Sequence, residues 1–435
     1  MKKIKILTVS NTAWSDDNSF GLTYNSLFDG TEDYFEFANI YCNYGVPKNN
    51  CVKKYCQITE KTILKNIKNK NEKKCIVFDA ENAERKAVAL SGGEIKKYRN
   101  LKKKRFQISL WARDLIWKKG LKDTSEIVDF VKNFSPDIIF TPMYYMFHTN
   151  KILQTVINAA GVPAVAYISD DIYRIKKFLC SPLYAIDRLL KRKTIKKSID
   201  LCDMLYVVCD EQKVAYEKEF NKPCKILRKP AEKLSEIVET ISGGCKKLFV
   251  YAGNLGTGRW KTVAAAGKVI AENGGVLRVF SATPVAGKVV KLFKKKGVDY
   301  RGYVSAEKAD EECRNSDVLV YAEDFGSKAV ALTHFSVSTK FSSYLKSGKT
   351  ILAAGPGEIS AIAYLRREKA AIVAGSPEDF DKAVKECMKN DNRYVQNALM
   401  CAKRDFDKDK IQKMLKADIV KLAAREVTAY EDITD

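Results

Sequence analysis

The alternation of short apolar runs with helical segments constrains this chain more than any other feature. In the second half, strand-like runs lie at 247–253, 277–282, 298–304, 318–323, 350–355 and 370–375. Between them, apolar residues recur with helical spacing, as in "WKTVAAAGKVIAENGG". Strands and helices that alternate at this interval are typical of a parallel sheet covered by helices on both faces. The second half is therefore predicted to be a doubly wound α/β domain.

The first half repeats this pattern with longer and less regular connections. Its strand-like runs lie at 4–10, 137–142, 164–169 and 204–209. The apolar pattern thins near 228–246, where Gly243 and Gly244 offer a hinge. A chain of 435 residues is long enough for two domains. We predict two Rossmann-like domains that face a cleft, and a C-terminal helical segment that packs back toward the first domain. The predicted limits are 1–230, 231–405 and 406–435.

Composition limits the compartment and the cofactors. No apolar stretch is long enough to cross a membrane, and the first residues lack the apolar core and cleavage site of a signal peptide. We therefore expect a cytoplasmic protein whose 12 cysteines are free thiols. Cys42, Cys51, Cys56 and Cys75 lie near one another in sequence, but they form no Cys-x-x-Cys pair and have no neighbouring histidine. Neither a metal nor another cofactor is expected.

The turn "GNLGTGRWK" at 253–261 is the first candidate for ligand binding. In open α/β sheets, ligands bind beyond the carboxyl ends of the strands, which here means after positions 10, 169, 253, 304 and 323. Gly253 and Gly258 allow a close backbone approach, and Arg259 and Lys261 bring charge to a helix start that attracts phosphate. The spacing matches neither the dinucleotide fingerprint nor the nucleoside-triphosphate loop. A flexible strand-to-helix turn explains the glycines equally well.

The segment "STKFSSYLKSGK" is the second candidate, since two hydroxyls and a lysine precede an apolar-stepped run. Ser338 or Thr339 can cap a helix, and capping needs only one hydroxyl. Lys340 beside both hydroxyls is more than capping requires, and a helix start with a nearby cation can hold an anion. Two such turns in one domain suit a diphosphate.

Residues 245–375 resemble the nucleotide-binding half of retaining glycosyltransferases with the GT-B fold. The resemblance lies in "YAGNLGTGRWK", "RGYVSAEKADEECRNSDVLVYAE" and "STKFSSYLKSGKTILAAGPG", in that order. The first half resembles the family more loosely, through "ILTVSNTAWSDDNSFG", "GVPAVAYISDD" and "CDMLYVVCDEQ". The resemblance implies metal-independent transfer of a sugar, with retention, from a nucleotide-sugar such as a UDP-sugar to a glycan or lipid-linked glycan.

The resemblance also implies roles for individual residues. Arg259 and Lys340 would stabilise the leaving diphosphate, and Asp170 would orient or deprotonate the acceptor hydroxyl. Asp170 could instead cap a helix. Donor contacts would come from Gly21, Gly253, Asn254, Gly258, Lys261, Tyr303, His334, Ser338, Thr339 and Ser343. A simple turn explains Gly21 equally well, and His148, the other histidine, is expected to be structural.

The chain departs from the family in three places. Family members often carry two glutamates with seven residues between them, and Phe335 and Ser343 stand at those positions. Asn254 replaces an arginine, and Asp170 lacks the histidine that often precedes it. These departures keep a second hypothesis open, a catalytically inactive GT-B-like binding or chaperone subunit of another glycosyltransferase. A nucleotide-sugar epimerase is a third and weaker alternative.

The formal net charge of +23 is concentrated in the first half. Residues 94–119 contain ten Lys and Arg against two acids, and residues 174–197 contain nine against one. Basic segments with interleaved aromatic and aliphatic residues are typical of helices that lie on anionic lipid, although a solvated surface helix is an alternative. No nucleic-acid-binding motif accompanies them. We expect peripheral contact with the inner face of the cell membrane, and no nucleic-acid partner.

Overall fold

The computed structural model describes residues 2–90, 107–175, 182–231, 246–389 and 391–424. The chain divides into two compact units. Unit 1 comprises the described residues up to Val207, the segment Gln212–Leu227 and the described residues from Asp409 onward. Unit 2 comprises Val208–Glu211 and Arg228–Lys408. The predicted hinge at Gly243 and Gly244 lies outside the described residues.

Unit 1 is built on an eight-stranded sheet. Its strands are β1 Ile4–Ser10, β2 Phe35–Tyr41, β3 Val52–Ile58, β4 Cys75–Asp79, β5 Ile138–Pro142, β6 Ala164–Ile168, β7 Met204–Val207 and β8 Cys224–Ile226. Its helices are α1 Ser19–Phe28, α2 Glu60–Lys68, α3 Ala83–Lys86, α4 Gln107–Gly120, α5 Ser125–Phe134, α6 Phe147–Ala160, α7 Pro182–Asp200 and α8 Asp210–Phe220. The strand order is β4-β3-β2-β1-β5-β6-β7-β8, and every neighbouring pair is parallel except β3 with β4.

The centre of this sheet is buried on both faces. All five residues of β5 and all five of β6 are buried, because helices cover both sides of a doubly wound sheet. Thr141 ties β5 to β1, since its hydroxyl donates to the Val9 carbonyl at 2.7 Å and accepts from the Val9 N–H at 3.2 Å. The buried centre holds the carboxyl ends of β1, β5 and β6 in fixed register.

Unit 2 is built on a six-stranded sheet in the order β11-β10-β9-β12-β13-β14, and all its strand pairs are parallel. Its strands are β9 Leu248–Ala252, β10 Val276–Phe280, β11 Val298–Gly302, β12 Val318–Ala322, β13 Thr350–Ala354 and β14 Ile372–Ala374. Its helices are α9 Arg259–Glu272, α10 Gly287–Lys295, α11 Ala306–Arg314, α12 Ser327–Thr333, α13 Phe341–Lys346, α14 Ser360–Arg367, α15 Phe380–Met388 and α16 Arg393–Asp405.

The last described helix, α17 Lys408–Ala423, packs on unit 1. Ile411, Leu415 and Ile419 recur at intervals of four residues, and all three are buried. Asp418 on the same helix forms an ion pair with Lys225 of β8 at 2.6 Å between Oδ1 and Nζ. The prediction of two doubly wound domains with a C-terminal helix returning to the first is therefore confirmed.

Candidate functional site

The carboxyl ends of β9 and β12 meet at the centre of the unit 2 sheet, where the strand order reverses direction. Arg259 begins α9 after the first of these strands, and Glu323 directly follows the second. The two side chains form a bidentate ion pair, with Nε to Oε2 at 2.9 Å and Nη2 to Oε1 at 2.8 Å. The sheet topology thus places Arg259, the predicted cation of the first turn, in contact with the Glu323 carboxylate.

The Arg259–Glu323 pair is largely withdrawn from water, with 16% of the arginine side chain and 2% of the glutamate side chain exposed. Burial raises the pKa of the Glu323 carboxyl, and the Arg259 hydrogen bonds and charge oppose the rise. Burial alone would lower the pKa of Arg259, but the Glu323 carboxylate outweighs it and holds that pKa above its ordinary value. The guanidinium is therefore charged and fixed in position.

A chain of hydrogen bonds joins this pair to the second candidate segment. The Tyr321 hydroxyl donates to Glu323 Oε1 at 3.4 Å, and the Ser338 backbone makes a hydrogen bond with the same hydroxyl. In addition, the Ala252 N–H donates to the Tyr344 hydroxyl at 3.2 Å, which links β9 to α13. The two cation-bearing turns therefore lie at the same edge of the sheet.

Asp324 lies against the start of α9. Its Oδ2 is 3.6 Å from Lys261 Nζ, and a Cβ at Gly258 would overlap the same oxygen. Gly258 has φ +84°, a conformation that glycine adopts without strain. The buried carboxylate of Asp324 thus lies beside the helix N-terminus, where the free N–H groups favour negative charge.

Lys340 is also paired. Its Nζ lies 2.6 Å from Asp310 Oδ1 on α11, and both side chains are partly exposed. Each of the three predicted cations therefore has a carboxylate partner in unit 2. Because the pairs of Lys261 and Lys340 reach solvent, they are held more weakly than the buried Arg259–Glu323 pair.

The helix that the sequence predicted to start near Ser338 begins at Phe341 and contains six residues. The prediction that Ser338 or Thr339 caps it was wrong, because Lys340 is the N-cap residue and no side chain makes a cap hydrogen bond. The Ser338 hydroxyl instead accepts from the Lys340 N–H at 3.3 Å, within a turn closed by the Phe341 N–H and the Ser338 carbonyl at 3.0 Å. So short a helix contributes little dipole to anion binding.

Two predicted donor residues shape the turn after β9. A Cβ at Gly253 would lie 3.0 Å from the Tyr251 hydroxyl oxygen, so a larger residue here would require the tyrosine side chain to shift slightly. The Asn254 side-chain oxygen accepts hydrogen bonds from the Gly256 N–H and, at 2.9 Å, from the Thr283 hydroxyl. Asn254 therefore organises the turn where the family more often has an arginine.

The other predicted donor residues of unit 2 differ in environment. Tyr303 is largely exposed after β11, and Ser343 is half-buried on α13. The His334 carbonyl accepts a hydrogen bond from the Ser360 N–H at 2.9 Å, and the centroid of the His334 ring lies 4.7 Å from that of the Phe335 ring. Phe335 is buried, which places the first of the two expected glutamate positions in the core. The donor contacts of these residues stay predictions.

In unit 1, Asp170 and Asp171 follow β6 and have different roles. Asp171 is buried, and its carboxylate accepts from the N–H groups of Tyr173 and Arg174 at 3.3 and 3.1 Å and pairs with the Arg174 side chain at 3.1 Å. The turn is thus stabilised by Asp171, whereas Asp170 is exposed. The catalytic role of Asp170 stays a prediction.

Gly21 lies in the first turn of α1, so the simple turn offered as an alternative explanation of this glycine was wrong. Its N–H donates to the side chain of Asn18 at 3.0 Å, and a Cβ at this position would overlap the Ser15 backbone. Helix packing therefore requires glycine here. Its predicted donor contact is untested by this geometry.

His148 belongs to the interior of unit 1, as expected. Its ring stacks on that of Trp117 with centroids 4.3 Å apart and an angle of 15° between the planes. Burial, with the nearby charges of Arg113 and Lys191, lowers the pKa of His148 to about 3. The imidazole is neutral at physiological pH and supports the core.

One group of side chains in the described residues could approach a metal ion. Ligand atoms of Asp29, Glu32 and Cys51 lie within 4.8 Å of one another. Burial raises the pKa of the Cys51 thiol, and the two carboxylates raise it further. A protonated thiol is a poor metal ligand. The expectation of a metal-free protein stays a prediction.

Glu323 and Asp324 are the site residues that sequence reasoning missed. They directly follow the strand "VLVYA", at a position the strand-end rule had marked. Acidic residues are unexpected beside a diphosphate, so the sequence analysis gave them no role. Their position immediately after a buried strand was the available signal.

Comparison with known proteins identifies structural neighbours only. No protein-family model and no curated protein matches the chain. Sucrose-phosphate synthase from Thermosynechococcus elongatus matches with a TM-score of 0.63 and 9% identity, over 97% of this chain and 100% of that one. HepE from Anabaena in complex with UDP matches with a TM-score of 0.60 and 10% identity, over 96% and 100%. A UDP-forming trehalose-phosphate synthase from Burkholderia xenovorans matches with a TM-score of 0.54 and 8% identity, over 96% and 100%.

Proposed function

We propose, from the GT-B fold that this chain shares with those glycosyltransferases, that the protein moves a sugar from a nucleotide-sugar to a glycan or lipid-linked glycan. HepE has been solved with UDP and with UDP-glucose, which makes a UDP-sugar the first donor to test. The observation that carries the proposal is the meeting of two cation-bearing turns where the unit 2 strand order reverses. This is where open α/β sheets bind their ligands.

Arg259 is proposed to hold the diphosphate directly. Its pair with Glu323 uses Nε and Nη2, so Nη1 can donate to a phosphate oxygen. The bidentate pair fixes the guanidinium before the donor arrives, which reduces the ordering that binding requires. Glu323 is thus a positioning residue for Arg259.

Lys261 and Lys340 are proposed to join Arg259 by exchanging partners. Asp324 and Asp310 hold these lysines in the free protein. A diphosphate carries more negative charge than one carboxylate, and the start of α9 adds its own attraction. The donor would therefore displace both carboxylates from the lysines.

The proposed reaction develops negative charge on the departing diphosphate, which fixed cations stabilise in a site that excludes water. The proposal assigns this task to Arg259, Lys261 and Lys340 and includes no metal. Retention would follow from attack on the face that the diphosphate leaves, with the phosphate helping to take the acceptor proton. Asp170 would orient the acceptor hydroxyl or accept that proton.

A second candidate is a GT-B-like binding or chaperone subunit without transfer activity. It is favoured by the carboxylate partner of every predicted cation and by the burial of Phe335 at an expected glutamate position. Such a subunit would bind nucleotide weakly or not at all.

Calorimetry with UDP, GDP and dTDP, in the presence of a chelator, is the direct test. The Lys261→Ala variant should bind UDP about tenfold more weakly, since an ionic contact of roughly 1.4 kcal/mol is lost. Lys268→Ala is the matched control, because Lys268 lies on the same helix and its ion-pair partner among the described residues is Glu272 on the helix surface. Donor hydrolysis measured on the same samples separates an enzyme from a binding subunit. Failure of every nucleotide to bind would refute both the donor site and the enzyme.

A further inference from the structure

The first half of α7 exposes its apolar residues and buries its charged ones. Leu183, Ile186, Leu189 and Leu190 are exposed to 42, 48, 56 and 62%. Asp187, Arg188 and Lys191, on the opposite side, are all buried. Helices on the surface of a globular protein show the reverse arrangement.

The buried charges fix the rotation of α7 about its axis. Asp187 accepts hydrogen bonds from Trp111 Nε1 at 2.9 Å, from Lys191 at 3.1 Å and from the Tyr145 hydroxyl. Lys191 also reaches Asp114 of α4 at 3.3 Å. Rotating α7 to turn its leucines inward would break these contacts and leave the charged groups without partners. The apolar side of the helix therefore stays exposed.

The same face of α7 becomes cationic toward its C-terminus. Lys193, Lys196 and Lys197 are exposed and continue the row at helical spacing. On α4, which the network joins to α7, Leu115 is 64% exposed and is followed by exposed Lys118 and Lys119. Aliphatic side chains flanked by lysines are therefore presented by two adjacent helices.

We infer that this surface, which we name the α7 face (Leu183, Ile186, Leu189 and Leu190 with Lys193 and Lys197), docks onto an anionic lipid bilayer. Lysines attract the headgroups, and the aliphatic side chains enter the boundary between headgroups and acyl chains. A second copy of this chain would bring the same positive charge to the contact, which disfavours self-association through it. No helix in the described ranges has the length and apolar character to span a bilayer.

The inference rests on the proposed function and deepens it, because it places unit 1, whose Asp170 is proposed to contact the acceptor, at the surface where a lipid-linked acceptor would be found. Of the two basic segments predicted from the sequence to contact the membrane, the inference assigns the contact to α7, and exposed residues of α4 lie on the adjacent helix. Residues 94–106 and 176–181 of those segments lie outside the described residues. The α7 face does not include them.

Sedimentation of the full-length protein with phosphatidylcholine vesicles, with and without about one third phosphatidylglycerol, tests the inference. The wild type should sediment with the anionic vesicles only. The double variant Leu189→Ser with Leu190→Ser should bind them at least tenfold more weakly, and Lys193→Gln with Lys197→Gln should lose the salt-sensitive part of binding. Val214→Ser, at an equally exposed position on α8, should bind as the wild type does.

Three kinds of result would overturn the inference. The first is wild-type protein that fails to bind anionic vesicles, or a leucine double variant that binds as well as the wild type. The second is a lower melting temperature of that variant, because the leucines would then be covered by this chain itself. The third is a wild-type dimer, detected by sedimentation velocity, that the leucine substitutions dissociate. UDP binding by the same variants should be unchanged, so vesicle binding without nucleotide binding would refute the proposed function and leave the α7 face standing.

Discussion

Breaking the Arg259–Glu323 pair should separate its structural role from its role in donor binding. Arg259→Met leaves Glu323 with only 2% of its side chain exposed and without the two hydrogen bonds that Arg259 donates. Removal of one partner from a buried ion pair costs about 3–5 kcal/mol of unfolding free energy. Glu323→Leu should cost less, because 16% of the Arg259 side chain reaches water. Replacing both residues removes both buried charges, so the double variant should return to within about 1–2 kcal/mol of the wild type.

Urea unfolding of the four proteins gives the coupling free energy of the pair, and calorimetry with UDP gives its effect on binding. The deficit of Arg259→Met should shrink as the pH falls from 7 toward 4. Burial raises the pKa of the folded Glu323 carboxyl above its unfolded value, and Arg259 opposes this rise, so the rise is larger in Arg259→Met. A group whose folded pKa is raised contributes stability that is present below its unfolded pKa and lost as the pH rises, so the variant loses more stability than the wild type between pH 4 and pH 7. The double variant should fold without binding UDP. If it binds UDP as the wild type does, Arg259 is a structural residue and the proposed diphosphate contact is wrong.

Three further predictions concern nearby or related groups. Gly258→Ala should lower the unfolding free energy by about 1–3 kcal/mol, because φ is +84° and the new Cβ overlaps Asp324, whereas Gly287→Ala has open space and should not; thermal melts check both. Asp324→Asn should raise UDP affinity severalfold in calorimetry, since Lys261 loses a competing carboxylate; weaker binding would contradict the exchange of partners. The folded pKa of His148 is depressed to about 3, so the wild type should lose unfolding free energy as the pH falls below 6.5, roughly 1 kcal/mol at pH 5.5 and 3 kcal/mol at pH 4.5. His148→Phe should remove this loss. Urea unfolding across this pH range is the measurement, and an equal response of both proteins would refute the prediction.

The sequence was most informative where burial leaves a strong pattern. Four of the six strands of unit 2 contain no charged residue, and all six strands lie where the alternation placed them. β3 was missed because two lysines near its start are exposed, so the run does not look like a buried strand. β4 lies at the sheet edge and pairs antiparallel with β3, a connection that strand–helix alternation does not predict.

The site was less predictable because its decisive contacts are distant in sequence. Arg259 and Glu323 are 64 positions apart, and only the strand order shows that they meet. The orientation of α7 was also hidden, since its sequence does not show that the side with the charged residues Asp187, Arg188 and Lys191 is the buried one. Its rotation is set by Trp111, Tyr145 and Asp114, which belong to other parts of unit 1.

The return of α17 to unit 1 has a consequence for biosynthesis. Apart from four residues, unit 2 is one continuous stretch of chain, Arg228–Lys408. The core of unit 1, in contrast, includes Ile411, Leu415 and Ile419 of α17, which follow unit 2 in the sequence. During synthesis, the residues of unit 2 therefore leave the ribosome before α17 does, so unit 2 has its residues in place before unit 1 has all of its own. A chain released before α17 is synthesised would therefore have an incomplete unit 1, although all residues of unit 1 up to Leu227 would be present.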